Sequence, residues 1–592
     1  MNDERNRRPV VCYRGQKSRL LRWLFFALLN SSFILHPSSF SYAATVADSL
    51  NSPPTRTRRP TKPTSTTLFD LHPEVRYTAA QVDTILDRAD KAWRGYFRLR
   101  PLLRAGDARE QAFAHRAVVL RARAGAMERL LADEKRNPTR EGPQTITDGL
   151  TSLDRSTAAV EYDLDRISLR IKQEAVLPPG LPFCVCIAPA FVRISPTGPT
   201  NCPPATKPTL TLAAGEAESF QLIVVPYWDR LERVRVRVSD LFRRNSIDRF
   251  GPDQVKLWLV ESVATTSTVG RGQFWPDPLA PPRPFDLPAT ASQAILVDIR
   301  ARRDQPAGAY TGTLTVRTDN FGTFTLPLEV DVHAFALPEG PLPDVENQTL
   351  RPAVAFRARN DFLQARLAVP GPSIFVRLWQ EFLGAYGLAL YRQAGPGDSA
   401  AGWLPWLGEG TFPPGAARLQ DPYSPTAPTA FAFRQAAWAA WKQQSGNPAA
   451  EHRWLVNGWV SLDPSTSQPA GTGAPPLVRN RWLPGQSLHP PGLIYLNHAG
   501  ESEPTLRLIT LRDGIEDYQY LDHLARQLDE VKKRKAAGWW KRRKWANLLR
   551  VDSKLCDPSR ISAELASKIL SRREEIAAAI EETQRLLEKS KR

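Results

Sequence analysis

Residues 505–524 read TLRLITLRDGIEDYQYLDHL, a helix with a fault in its middle. Leu508, Leu511, Ile515, Tyr518 and Leu521 recur every three or four residues, which lays one apolar stripe along a helix. Gly514 interrupts that stripe, where glycine costs about 1 kcal/mol relative to alanine. Arg507, Arg512, Asp513, Glu516 and Asp517 crowd around it. Arg512 and Glu516 are an i,i+4 pair of opposite sign, whereas Asp513 and Asp517 are one of like sign that repels on a solvated helix. Two costs in one turn call for an explanation from outside the helix.

Downstream, the pattern stays helical to residue 592, with breaks at Gly538 and at CDPSR, 556–560. Upstream, residues 345–510 alternate helix with strand. FVRLWQEFLGAYG (375–387) and FRQAAWAAWKQQ (433–444) read as helices, LALYRQ (388–393) and HRWLVNGWVSL (452–462) as strands, which suggests α/β architecture. Residues 177–340 hold short β-branched and aromatic runs such as SFQLIVVPY (219–227) and QAILVDIRA (293–301) between turns, the pattern of a β-sandwich. Residues 73–176 read as a helical bundle, opened by a capping box at Thr78 and Gln81. The Pro/Thr/Arg-rich residues 44–72 read as a disordered linker. At 592 residues the chain is long enough for three or four domains, and its 52 prolines are about twice ordinary usage. The expected class is therefore a multidomain α+β protein.

A basic start, an apolar run over 20–35 and the phrase SYAA predict a secretory signal cleaved after Ala43, which makes the protein secreted, periplasmic or bound to the cell envelope. Removing it lowers the formal charge from +18 to +13, because residues 1–43 carry seven Lys or Arg and two acids. Much of the remaining surplus lies in VKKRKAAGWWKRRKWANLLRVDSK, 531–554. A solvated helix tip and an anionic envelope surface as partner both fit this run, while nucleic acid does not fit an exported chain. Cys184 and Cys186 fall on one side of an extended strand, and Cys202 can close a disulfide loop with either. Three thiols in that spacing lack a fourth ligand for zinc, and neither a metal nor a cofactor is expected.

Several phrases resemble glycoside hydrolase family 123. LTLAAGEAESFQLIVVP (210–226), with Glu216, Glu218 and Gln221, resembles the opening of that family's N-terminal sandwich. FWPDPLAP (274–281), PAGAYTGTLTV (306–316) and FALPEGP (335–341) resemble its later strands and its exit into a barrel. HPPGLIYL (489–496) and RLITLRDGIEDYQYLDHL (507–524) resemble the last strand and closing helix of the associated domain of unknown function numbered 4091. The resemblance implies that the closing helix packs on a (β/α)-barrel, with Gly514 admitting neighbouring strands. Arg507, Arg512, Asp513, Glu516 and Asp517 then form a shared structural ion network.

The family cleaves β-linked N-acetylgalactosamine by substrate assistance, with an adjacent Asp-Glu pair orienting the acetamide and supplying the proton. Beyond residue 43 the dipeptide occurs only as Asp133-Glu134 and Asp529-Glu530, both in helical stretches. Residues 345–510 are also short of the roughly 250 residues of a whole eightfold barrel. The expectation is a truncated α/β barrel-like domain over 341–530 that binds glycan without cleaving it, followed by basic helices over 531–592. Glu409, in the Gly- and Trp-rich GWLPWLGEGTF, is the weak candidate for a catalytic acid if the chain is an active glycosidase. Trp403, Trp406, Trp454 and Trp459 are candidates for stacking on sugar rings. The alternative outside enzyme chemistry is an envelope structural or interaction protein.

Overall fold

The computed structural model describes residues 75, 77–176, 180–197, 204–265, 273–337, 353–356, 386, 389–392, 417–418, 431–445, 454–458, 460–461, 478–479, 494–496, 502–556 and 563–591. The signal and linker expected over 1–72 lie outside these residues, as does the helix expected over 375–387 apart from Tyr386. Among the described residues no helix is long and apolar enough to cross a membrane.

Helices α1 (Ala79–Leu99), α2 (Ala108–Arg136) and α3 (Gly142–Glu174) pack on one another. The Thr78 side chain accepts from the Gln81 amide while the Gln81 side chain accepts from Thr78, so two orphan amide donors at the start of α1 are satisfied. Tyr96 meets Phe113 edge-on at 5.4 Å, and Arg88 and Arg116 reach Asp154 and Asp163 on α3.

Two sheets follow. The first runs β1 (Phe183–Pro189), β3 (Ala217–Pro226), β10 (Gln293–Arg300) and β7 (Val255–Thr265), with β8 (Gln273–Ala280) and β18 (Val478–Arg479) both on β7. The second runs β2 (Thr209–Ala214), β12 (Gly322–Ala336), β11 (Gly308–Thr318), β4 (Leu231–Val238) and β9 (Phe285–Leu287), with β5 (Leu241–Arg243) also paired to β11 and β6 (Arg249–Phe250) paired to β5. Period-2 alternation decides what each strand touches. Phe220, Leu222 and Val224 of β3 and Ile295, Val297 and Ile299 of β10 point into the core shared by the two sheets. Ile223 and Val225 of β3, with Ala294 and Leu296 of β10, point the other way and meet Leu169 of α3 and Leu506 and Ile509 of the 505–524 stretch. All ten residues of β3 are buried, because both its faces are covered.

The described strands beyond residue 350 form two short patches. β14 (Ala389–Arg392), β13 (Ala353–Phe356), β16 (Trp454–Gly458) and β15 (Ala417–Arg418) pair in that order, all parallel. β17 (Val460–Ser461) pairs in parallel with β19 (Ile494–Leu496), which meets β20 (Ser502–Glu503) antiparallel. Strands thus occur where LALYRQ, HRWLVNGWVSL and GLIYL place them. Among the described residues the strands do not close into a ring.

Helix α4 (Phe431–Ser445), and then α5 (Leu506–Lys533), α6 (Trp539–Leu548) and α7 (Ala563–Lys589), complete the chain. They bury one apolar cluster that includes Trp438, Leu511, Tyr518, Leu521, Trp545 and Ile576 and extends to Phe335 and Leu337 at the end of β12. The basic tail is therefore part of a core, and both α4 and α7 pack on α5.

Candidate functional site

Helix α5 is where the molecule's parts meet. Thr505 caps it by accepting from the Leu508 amide at 3.0 Å, and the Leu279 amide of β8 donates to Pro504 O at 3.0 Å just before it. From residue 506 to 521 every side chain is buried, so the charges of the opening turn have no solvent to face. Burial of an ion is tolerated only with partners, and the partners come from five other elements, β3, β8, β10, α4 and α7.

Gly514 faces helix α4. A Cβ built there would lie 3.0 Å from Arg434 Cα, 3.0 Å from Arg434 O and 3.1 Å from Phe433 O. This corrects the expectation that the glycine admits strands: it lets two helix backbones touch. The close approach delivers Arg434, whose Nε and Nη2 donate to Asp517 at 2.7 and 2.9 Å. Its Nη1 and Nη2 also donate to both oxygens of Glu218 on β3, at 3.2 and 3.3 Å. The Trp438 indole N–H, one turn along α4, donates to Asp517 Oδ2 at 2.9 Å.

On the other flank, Arg573 of α7 donates to Glu216 and to Glu218, and its Nε lies 3.5 Å from Asp517. Glu216 also accepts from the Tyr520 hydroxyl at 2.6 Å and from the Ala213 amide at 2.5 Å. Arg512 points to the sheet, where its Nη1 donates to Asp298 at 2.9 Å and its Nη2 to Ser219 Oγ at 3.0 Å. Those two acceptors sit directly opposite on β10 and β3 and are themselves bonded at 2.7 Å. Arg512 also donates to Asp513 at 2.8 Å, while Glu516 stands farther off at 3.8 Å and accepts the Ala217 amide at 3.1 Å. The like-charged pair Asp513 and Asp517 is thus split between Arg512 on one side and Arg434 on the other.

Arg507 departs from the single network that was expected. It is held near the start of the helix by Asp277 of FWPDPLAP, which accepts from its Nη2 at 2.6 Å and its Nε at 3.0 Å. Gln221 of β3 donates its amide to the carbonyls of Pro189, Ala190 and Val192, fixing the chain as it leaves β1.

Three guanidinium groups, Arg434, Arg512 and Arg573, thus face six carboxyls: Glu216, Glu218, Asp298, Asp513, Glu516 and Asp517. Full ionisation would leave an uncompensated excess of buried negative charge, so some carboxyls keep their protons. Burial pushes Glu216 up to about 7 against the pull of Arg573. Burial likewise raises Asp513 to about 7 and lifts Glu516 well above the carboxylate range. Glu218 goes the other way: burial works against its charge, but Arg434 and Arg573 together hold it down at about 2. A neighbouring arginine by itself lowers a carboxyl's pKa, and here burial outweighs the arginines at three of the acids.

The groups of this cluster are buried, and each is engaged by protein. Its chemistry is cohesive, tying β3 and β10 of the sandwich to α4, α5 and α7.

Other candidates fall as follows. Glu409, Trp403, Trp406 and Trp459 lie outside the described residues, and Trp454 is the first residue of β16 in the parallel patch. Cys186 is disulfide-bonded, Cys184 is a free buried thiol that burial pushes up to about 12, and Cys202 lies outside the described residues. The free thiol removes Cys184 from the disulfide candidates. Asp133-Glu134 sits on α2, where Glu134 accepts from the Thr139 hydroxyl at 3.1 Å. Asp529-Glu530 sits near the end of α5, with Lys532 and Arg534 as partners. Arg434 and Arg573 were missed in the sequence. A lone arginine inside the apolar FAFRQAAWAAW was a usable signal for the first, whereas SRREE reads as a solvated face and hides the second.

No protein-family profile matches the chain, and no curated protein matches it. Among solved structures, a family 123 glycoside hydrolase from Clostridium perfringens aligns over 68% of this chain and 97% of its own, at 10% identity and a TM-score of 0.41. A PapD-like domain of human CEP192 aligns over 26% of this chain and 92% of its own, at 13% identity and a TM-score of 0.13. A GH5 xyloglucanase from Bacteroides ovatus aligns over 32% of this chain and 35% of its own, at 7% identity and a TM-score of 0.12. At these scores the functional reading has to stand on the chain's own residues.

Proposed function

We propose that this is an exported, carbohydrate-active protein of the family 123 type that binds glycan through its α/β part and does not cleave it. One observation carries the reading. The phrases that resemble the family supply the frame: Glu216, Glu218, Asp277, Arg512 and Asp517 all belong to them, and all are spent on holding α5 against the sandwich. Beyond residue 43 the Asp-Glu pair that the chemistry needs is present only on α2 and at the end of α5, and on none of the parallel strands of the α/β part. A substrate-assisted hydrolase without a neighbouring acid to orient the acetamide and another to protonate the leaving oxygen retains a binding surface and loses the reaction. Export accords with the disulfide at Cys186, since such bonds persist in oxidising compartments.

The test is twofold. A chromogenic aryl N-acetyl-β-galactosaminide and a panel of β-glycosides should show no release above buffer, while a glycan array shows saturable binding that falls in Trp454→Ala. Turnover of any of these substrates, abolished in Glu409→Gln, would make the protein a working glycosidase instead.

A further inference from the structure

Helix α6 carries a surface that neither the ionic cluster nor glycan binding uses. Its inward side is spent on the core: Trp545 and Leu548 are buried, and Trp441 of α4 donates its indole N–H to Leu549 O at 3.0 Å. The outward side begins with Trp539 and Trp540, exposed at 52% and 77%, which are large apolar side chains left in water on an otherwise well-buried helical assembly. The helix repeat places Arg543 one turn beyond Trp539 and Lys544 one turn beyond Trp540, so two indoles and two cations share one face. All four are exposed.

The surroundings are basic. Residues 531–554 contain ten Lys or Arg against one acid, Asp552. The facing acids are Asp529, Glu530 and Glu582, which take up Lys532, Arg534 and Lys541. Glu582 also feels Lys544 and the Trp545 N–H. Lys533, Lys535 and Arg543 remain exposed and enter no ion pair among the described residues.

The geometry of the indoles discriminates between anionic partners. Bases and sugar rings stack on open aromatic faces. Here Arg543 already lies over the Trp539 ring at 5.0 Å, and the two indoles meet edge-on, 74° apart with centroids at 4.6 Å. This pair therefore lacks parallel open platforms. Adjacent tryptophans flanked by cations on one side of a short helix match the boundary between headgroups and acyl chains, where indole settles and Lys and Arg meet phosphate.

We infer that the Trp539–Trp540 face of α6, with Lys533, Lys535, Arg543 and Lys544, docks the protein onto the surface of an anionic phospholipid bilayer. The inference stands whether or not the α/β part binds glycan.

Cosedimentation of the full chain with vesicles of phosphatidylcholine alone, or with 30% phosphatidylglycerol, tests it. Binding at physiological salt should be at least tenfold tighter to the anionic vesicles. The double substitution Trp539→Ser/Trp540→Ser should weaken it about tenfold or more with the unfolding temperature unchanged, since both side chains already face water. Lys533→Glu with Lys535→Glu should weaken it by roughly fivefold per cation removed, or more because the sign reverses. Equal binding to neutral and anionic vesicles overturns the inference, as does full-strength binding by the double Trp variant. Heparin or single-stranded DNA held as tightly as the anionic vesicles, and equally well by the Trp variant, overturns it in favour of a polyanion site.

Discussion

At the scale of single residues, the cost that Gly514 and the two aspartates add to their helix is offset by what lies across from them. Gly514 has no left-handed backbone to explain it; it is needed because Arg434 Cα and O stand where a Cβ would go. Gly514→Ala gains helix propensity and must still push α4 away, which lengthens the paired bonds from Arg434 to Asp517. Overpacking of this kind costs about 1–3 kcal/mol, and the unfolding temperature should fall accordingly. An unchanged or raised midpoint would mean that α4 and α5 yield without cost. Asp513 and Asp517 illustrate the companion rule. Read on an isolated helix they repel, yet each has a guanidinium on its own side, and Asp513 keeps a raised pKa of about 7 because burial disfavours its charge.

At the scale of elements, α7 decides more than its sequence suggests. It brings Arg573 over Glu216, just before β3, and Glu218, on β3, two acids that would otherwise be buried near each other with Arg434 on one of them alone. Arg573→Ala leaves that charge uncompensated and should lower stability by about 3–5 kcal/mol, with Arg434→Ala and Arg512→Ala in the same range. Adding Glu216→Gln to Arg573→Ala should recover part of the loss, because the buried negative charge goes with its partner. Denaturant midpoints measure both, and a double variant no better than the single one would show that Arg573 acts through packing on Tyr520, over whose ring it lies at 5.0 Å.

At the scale of the whole molecule, the charge balance of the joint sets how stability responds to pH. Folded Glu216, Asp513 and Glu516 hold protons that an unfolded chain releases near the ordinary carboxylate range of about 4. Between that range and about 7 the folded state binds more protons, so stability falls as pH rises through the window. Glu218 has the opposite sign. Its contribution is complete above the unfolded value and is lost as pH drops toward about 2. The unfolding temperature should therefore peak in mildly acidic buffer and decline toward pH 8, and Asp513→Asn should flatten the alkaline side. A midpoint that climbs steadily from pH 5 to pH 8 would contradict this proton inventory.

The periodicity of residues 505–524, the alternation along β3 and β10 and the capping box at Thr78 are local signals, and each was legible because a helix or strand writes its buried face into neighbouring residues. The charges around Gly514 likewise announced that the turn is buried. Which residues bury it was not legible, since Arg434, Asp298 and Arg573 lie 83, 214 and 355 residues from the groups they bind, and no spacing rule spans such distances. Local residue patterns thus dictate the elements around the joint and the demand for counter-charges. That a helix, and not a strand, meets Gly514, and that α7 completes the joint, follows from the fold, because pairing between groups so far apart along the chain is settled by three-dimensional packing alone.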